Sequence, residues 1–192
     1  MIYVSPDGKR IYTTNITSGT VSIIVDTLIQ PGRNAPANAK PRQDWIHTII
    51  PTARGSEGFD VLPDGSELWT ASSEDGTITI IDPGAKKPKG KIDAKVFGAN
   101  RLKFTPDGKQ AFISSLQTGE LTIYDVKSHA EVKRLKLGRG AAGILMDPEG
   151  SRAFVACSAD NYVAIIDLKT LELTGKLDVG GTPDGLAWAV RP

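Results

Sequence analysis

The sequence predicts an all-β fold, a β-propeller of four-stranded antiparallel blades, and three observations carry that expectation. A Pro-Asp-Gly turn recurs at Pro6-Asp7-Gly8, Pro63-Asp64-Gly65 and Pro106-Asp107-Gly108, with a variant at Pro148-Glu149-Gly150. The interval is 43 residues from Pro63 to Pro106 and 42 from Pro106 to Pro148, the period of a blade repeat. Between the turns, short runs of β-branched and small residues alternate in the manner of strands.

Each repeat reads in the same order. A first apolar run (Ile2 to Ser5, Phe59 to Leu62, Leu102 to Thr105, Ile144 to Asp147) meets the turn, where Pro presets φ and Gly takes the left-handed position. A second run returns: Ile11 to Asn15, Leu68 to Ala71, Ala111 to Ser114, Ala153 to Cys157. The third runs are Thr20 to Ile23, Thr77 to Ile80, Leu121 to Tyr124 and Tyr162 to Ile165. The fourth runs (Trp45 to Ile49, Gly90 to Ala94, Val132 to Leu137, Leu173 to Val179) carry more Lys and Arg, as an outer edge must if it is not to pair with strangers. Within first strands, Ile2 and Val4, Phe59 and Val61, Leu102 and Phe104, Ile144 and Met146, and Leu186 and Trp188 share one parity and are expected to pack between blades.

These runs divide one domain, residues 1–192, into repeats at 2–58, 59–101, 102–143 and 144–185, followed by an extra first strand at 186–190. The first repeat carries an insertion at 28–44 with Pro31, Pro36 and Pro41, expected as a long loop on the face of the Pro-Asp-Gly turns and read as a protein-contact loop. A lone first strand after four complete repeats suggests that blades are missing, so that further blades or a second copy would close the ring. A four-bladed ring with one redundant strand and an eight-bladed dimer are the alternatives.

Composition excludes several classes. No stretch approaches the eighteen or more apolar residues of a membrane span, and a net charge of +1 argues against a dedicated nucleic-acid or membrane surface. The first residues hold Asp7 and Lys9 where a signal peptide would be apolar, so no export signal is expected there. Cys157 is the single cysteine and reads as buried filler. With only His47 and His129 available, a His-based metal cluster or a Ser-His-Asp triad is not expected, and no cofactor or metal is assigned. Gly138-Arg139-Gly140-Ala141-Ala142-Gly143 matches a dinucleotide fingerprint by letters but precedes a strand.

Ser5 to Asn15 followed by Gly19-Thr20-Val21-Ser22-Ile23, with Phe104 to Asp125 and Met146 to Asp167 repeating the pattern, resembles the YVTN-type repeat of surface-layer and YncE-like seven-bladed propellers. The resemblance implies a C-terminal fragment of such a ring and a bacterial or archaeal exported protein, periplasmic or extracellular. Related propellers include lactonase-type hydrolases, haem-binding domains and quinoprotein dehydrogenase subunits. The second strands ending Ala71 and Cys157 lack the family's Asn, and no family catalytic motif maps onto this chain.

Function is expected where the loops before first strands ring the central channel. That ring offers Arg54, Glu57, Asn100, Arg101, Arg139 and Asp184, with Asp60 and Lys103 one step inside, a set suited to a small polar or anionic ligand. A non-enzymatic binding or scaffold propeller fits best. A lactonase-type hydrolase using Glu57 or Asp184 beside an arginine is the first alternative, and a redox propeller carrying haem or serving a quinone-bearing subunit is the second.

Overall fold

Sixteen strands make four separate antiparallel sheets in the computed structural model, which describes residues 1–189 of the chain. Blade one is β1 (Ile2–Val4), β2 (Arg10–Asn15), β3 (Thr20–Ile29) and β4 (Arg42–Pro51), and blade two is β5 (Ser56–Val61), β6 (Leu68–Ser72), β7 (Ile78–Asp82) and β8 (Lys87–Ile92). Blade three is β9 (Ala99–Phe104), β10 (Gln110–Ser115), β11 (Glu120–Asp125) and β12 (Glu131–Lys136). Blade four is β13 (Ala141–Met146), β14 (Arg152–Cys157), β15 (Tyr162–Asp167) and β16 (Glu172–Asp178). Strands neighbour one another in chain order within every sheet, so each blade is a simple meander.

The turns close locally. Asp7 Oδ1 accepts hydrogen bonds from the Lys9 amide at 3.0 Å and the Ser5 hydroxyl at 2.5 Å, and Asp107 accepts the same pair from Lys109 (3.1 Å) and Thr105 (2.7 Å). Gly8, Gly65, Gly108 and Gly150 follow at φ between 69° and 73°, which a side chain would make strained. The variant turn lacks its Asp because Asp147, one residue ahead of Pro148, supplies the acceptor instead, taking the Glu149 amide at 3.0 Å. At the far end of the third strands, Asp82, Asp125 and Asp167 each accept an amide three residues on at 2.7 Å, which caps the tight turn into the outer strand.

Blade one departs from this rule, and the insertion boundaries change with it. Asp26 occupies the capping position, but its carboxylate accepts from the Gln43 side chain across the ladder, and Thr27, Leu28 and Ile29 continue the strand opposite Asp44, Gln43 and Arg42. The expected loop at 28–44 is therefore a lengthened β3–β4 hairpin whose irregular part is confined to residues 30–41. The basic outer edge holds for β8 and β12 only: β4 has one Arg and no Lys, with Trp45 and Ile49 exposed, and β16 has one Lys and no Arg, with Leu173 and Leu177 exposed.

Core layers lie between blades. Tyr12, Val21, Ile23, Phe59, Val61 and Leu68 fill the first junction; Trp69, Ile80, Leu102, Phe104 and Ile113 the second; Phe112, Ile123, Ile144, Val155 and Ile166 the third. Full burial of each large side chain contributes about 1.5–3 kcal/mol. The expected first-strand parity is met by Phe59, Val61, Leu102, Phe104 and Ile144, all buried, with Met146 half-buried. Ile2 and Val4 differ, at 68% and 52% exposure, because no blade lies against the outer side of blade one.

The extra first strand at 186–190 is corrected for its described part. Residues 182–189 form no strand, and Val190 lies outside the described residues. The segment nonetheless runs along blade four where a first strand would lie: the Pro183 carbonyl accepts from Ser158, the Thr182 amide donates to Asn161, and Trp188 rests 6.3 Å from Phe154. A strand requires a paired neighbour for its backbone groups, and this segment has none among the described residues.

Candidate functional site

Inner strands break register just where the channel-mouth residues sit. The β5–β6 ladder slips between Ser56 and Phe59, β9–β10 between Arg101 and Ala99, and β13–β14 between Ala141 and Ile144. These bulges take Glu57, Asn100 and Ala142 out of the alternation and turn them away from the sheet faces. Hydroxyls hold the bulged carbonyls from the preceding blade: Thr14 donates to the Glu57 carbonyl at 2.6 Å and Ser114 to the Ala142 carbonyl at 2.5 Å.

The result is one charged cluster spanning three units. Arg101 Nη1 donates to Glu57 Oε1 at 2.8 Å and to the Asn100 carbonyl at 3.1 Å, while Asn100 Nδ2 donates to the same Glu57 oxygen at 3.2 Å. On the opposite side of the guanidinium, Nη2 faces Asp184 Oδ1 at 3.7 Å. Arg101 reaches that far because the intervening blade presents only Ala142 and Gly143 at the corresponding place. A Cβ on Gly143 would meet the Asp184 carbonyl, and one on Gly58 would stand 2.6 Å from Arg101 Cα, so both glycines set how closely the units approach.

One step inside, Lys103 Nζ lies 3.4 Å from Asp60 Oδ1, and the Phe104 amide donates to Asp60 Oδ2 at 3.1 Å. Burial pushes the Asp60 carboxyl above the usual range, and the Lys103 ammonium and the Phe104 amide only partly oppose it. Tyr3 occupies the same place in blade one, its hydroxyl raised by burial and by the nearby Asp60 charge.

Four of the six expected channel-mouth residues come together: Glu57, Asn100, Arg101 and Asp184. Arg54 does not join them; its side chain is exposed and only its carbonyl is used, accepting from Ser72. Arg139 does not join them either, because Asp160 captures it through the backbone amide at 2.7 Å and Nε at 2.7 Å. That amide, ahead of the guanidinium, holds the Asp160 carboxyl below its ordinary value. The letters of Asp160 carry no sign of this pairing, since it sits on a 3-10 turn within the second-to-third connection.

Neither histidine reaches the cluster: His47 is exposed on β4 and His129 packs edge-on against Trp69 at 5.3 Å. Sequence reasoning also missed a buried acid outside the channel. Glu67, 7% exposed, accepts from Trp69 Nε1 at 2.7 Å and from Lys89, an anchor for the second junction. Open grooves of 320 and 480 Å³ lie between neighbouring turns, lined by Tyr3, Arg10 and Tyr12 and by Lys109, Gln110 and Lys169, away from the cluster. Chemically, the mouth presents an arginine held from one side by a carboxylate and an amide, with its other edge toward solvent.

No protein-family profile matches the sequence. The uncharacterized protein YncE of Salmonella typhimurium is 25% identical over 144 residues, covering 73% of this chain and 40% of that protein. Hydrazine synthase of Kuenenia stuttgartiensis superposes over 93% of this chain and 48% of its own, with a TM-score of 0.74 at 17% identity. In fold the chain is a β-propeller, and in sequence it is YncE-like. A candidate 6-phosphogluconolactonase from Bacteroides fragilis aligns with this YncE-like propeller over 96% of its length at a TM-score of 0.73 and 20% identity, using 56% of that chain. A protein of unknown function from Desulfotomaculum acetoxidans gives 0.75 at 15% identity, over 96% of this chain and 57% of its own. The chain thus spans about half the length of the propellers it matches. Among the described residues no helix is long and apolar enough to cross a membrane.

Proposed function

We propose that this chain is a non-enzymatic binding and scaffold propeller of the YVTN repeat type, exported from the cell, which works as an arc of a larger ring and receives a small polar or anionic ligand at its channel mouth. The observation that carries the reading is the engagement of Glu57. One oxygen takes both Asn100 and Arg101, and the residue joins blade two to blade three, so it serves as a clamp that holds the shape of the mouth, and neither histidine reaches the cluster to act beside it. Blade one supports the arc: Ile2, Val4, Trp45 and Ile49 form an exposed apolar face of the kind that soluble proteins cover. Further blades of the ring, or a second copy, are the occupants that fit it.

Lactone hydrolysis tests the central claim, because a neighbouring fold carries the candidate lactonase description. No turnover by the chain supports a binding role. Turnover that disappears in Glu57→Gln and Arg101→Ala would replace it with a hydrolase. Light scattering at several concentrations tests the arc, for which self-association or ring completion by a partner is expected, and a monodisperse 20.5 kDa monomer with cooperative unfolding contradicts it.

A further inference from the structure

Arg101 is asymmetric in a way that identifies its ligand. Its Nη1 edge is occupied by Glu57 and the Asn100 carbonyl, and its side chain is 20% exposed, so the guanidinium plane is fixed before any ligand arrives. Among the described residues its Nη2 makes no hydrogen bond. The Asp184 carboxylate stands 3.7 Å away, beyond hydrogen-bonding reach, and is itself 61% exposed. A planar fork of N–H donors with one half satisfied and one half open matches a carboxylate or similar planar anion. Lys103, two residues along the same strand and 33% exposed, adds a second positive group inside the channel.

We propose that the open edge of Arg101 binds a small organic carboxylate and that Asp184 is an intramolecular competitor for that edge. Asp184 is the stand-in: it brings the same chemical group to the same donors from an exposed segment. That segment is attached to blade four through the Ser158, Asn161 and Phe154 contacts, none of which involves the Asp184 side chain. Swinging the carboxylate into solvent therefore frees Nη2 without disturbing the ladder beneath, and a ligand carboxylate takes the place beside Nη2 that the Asp184 side chain leaves. A tethered competitor acts as a local concentration of anion, so the free ligand must exceed it or the competitor must be removed. The inference rests on the binding role proposed for this mouth.

Malonate titration of the intact chain, read through the Arg101 Nε–H resonance and by calorimetry, tests it. Asp184→Asn is expected to bind malonate about tenfold more tightly than the unaltered chain, a difference of about 1.4 kcal/mol, with the Arg101 resonance moving at the same midpoint. Arg101→Lys, which keeps the charge but loses the fork, is expected to weaken binding at least tenfold, and circular dichroism checks that it folds. Equal malonate affinity with and without Asp184, or an Arg101 resonance that stays still in Asp184→Asn at high malonate, overturns the proposal without requiring the Arg101 variant. Inorganic phosphate binding Asp184→Asn as tightly as malonate overturns the assignment to carboxylates. Failure of malonate in a chain that also leaves lactones intact removes the competitor and not the binding role; lactone turnover removes the binding role whatever malonate does.

Discussion

Gly58→Ala isolates the contact that spaces blades two and three. The glycine is not in the left-handed region, so alanine suits its backbone and only packing is perturbed. The new Cβ would stand 2.6 Å from Arg101 Cα and 2.7 Å from the Asn100 carbonyl oxygen, both backbone atoms that cannot rotate away. Ordinary contact requires the β9 end to retreat by about 1 Å, at a cost of about 1–3 kcal/mol for overpacking. The same retreat stretches the 2.8 Å Glu57–Arg101 bond past useful length. A charge-assisted bond is worth about 1.5–3 kcal/mol when enclosed, and partial exposure reduces it here. Alanine returns about 0.4–1 kcal/mol through the unfolded chain, leaving a net loss of about 3 kcal/mol. Thermal unfolding should fall by about 6–12 °C for a chain of this size. Gly90→Ala is the control, since nothing lies within 4 Å of its Cβ on β8. Equal melting temperatures for the two variants would refute the idea that this glycine sets the blade spacing.

Trp69→Phe removes the donor to buried Glu67 and leaves a void in the second junction, so urea unfolding should show a loss of about 3 kcal/mol or more; a loss below 1 kcal/mol would mean that Lys89 alone satisfies the acid. Burial pushes Asp75 up, but the Thr77 hydroxyl and amide, Ser72 and Lys91 outweigh it and bring the carboxyl down from 3.8 to about 2. Its contribution is therefore present above about pH 4 and is lost as the pH falls toward 2; Thr77→Ala should flatten the acid side of the stability profile, and an unchanged slope would contradict the assignment. Asp60 has the opposite sign, its raised carboxyl losing stability as pH rises through its folded value, so Asp60→Asn, which keeps an acceptor for Phe104, should unfold at higher urea at pH 7, with the difference closing in acid. Burial raises the Cys157 thiol, so a disulfide reagent should modify it only on unfolding, and prompt labelling of the folded chain would show the third junction to be open.

Strand order and the inter-blade core were legible because turn chemistry and alternation are local. Pro6-Asp7-Gly8 needs only its own neighbours to close, and Phe59 and Val61 show their shared face by parity alone. The channel cluster was legible in part, since position in the repeat places Glu57, Asn100, Arg101 and Asp184 on one rim. Position does not fix where a long side chain goes. Arg139 has the same rim address as its fellows but finds Asp160 within its own blade, and Arg54 points to solvent. Arg101 reaches Asp184 only because Ala142 and Gly143 leave the way clear, a fact about absent side chains in another repeat. The lengthened β3–β4 hairpin was misjudged for a related reason: Asp26 has the letter of a turn cap, and only the partner strand decides that Gln43 takes its carboxylate.

Because each Asp-capped turn closes on residues within five positions of itself and each core layer belongs to one pair of neighbours, the molecule is assembled like a chain of hinged tiles. Order could start at any tile and spread sideways, with no long loop closed in advance. Such a tile can be excised or duplicated with only two seams to mend. Removing residues 99–140 would set Gly58 of one tile against Gly143 of another, two smooth edges that fit sterically but carry no Arg101 to latch them. Tile three is thus the one whose loss the backbone would tolerate and the rim would not.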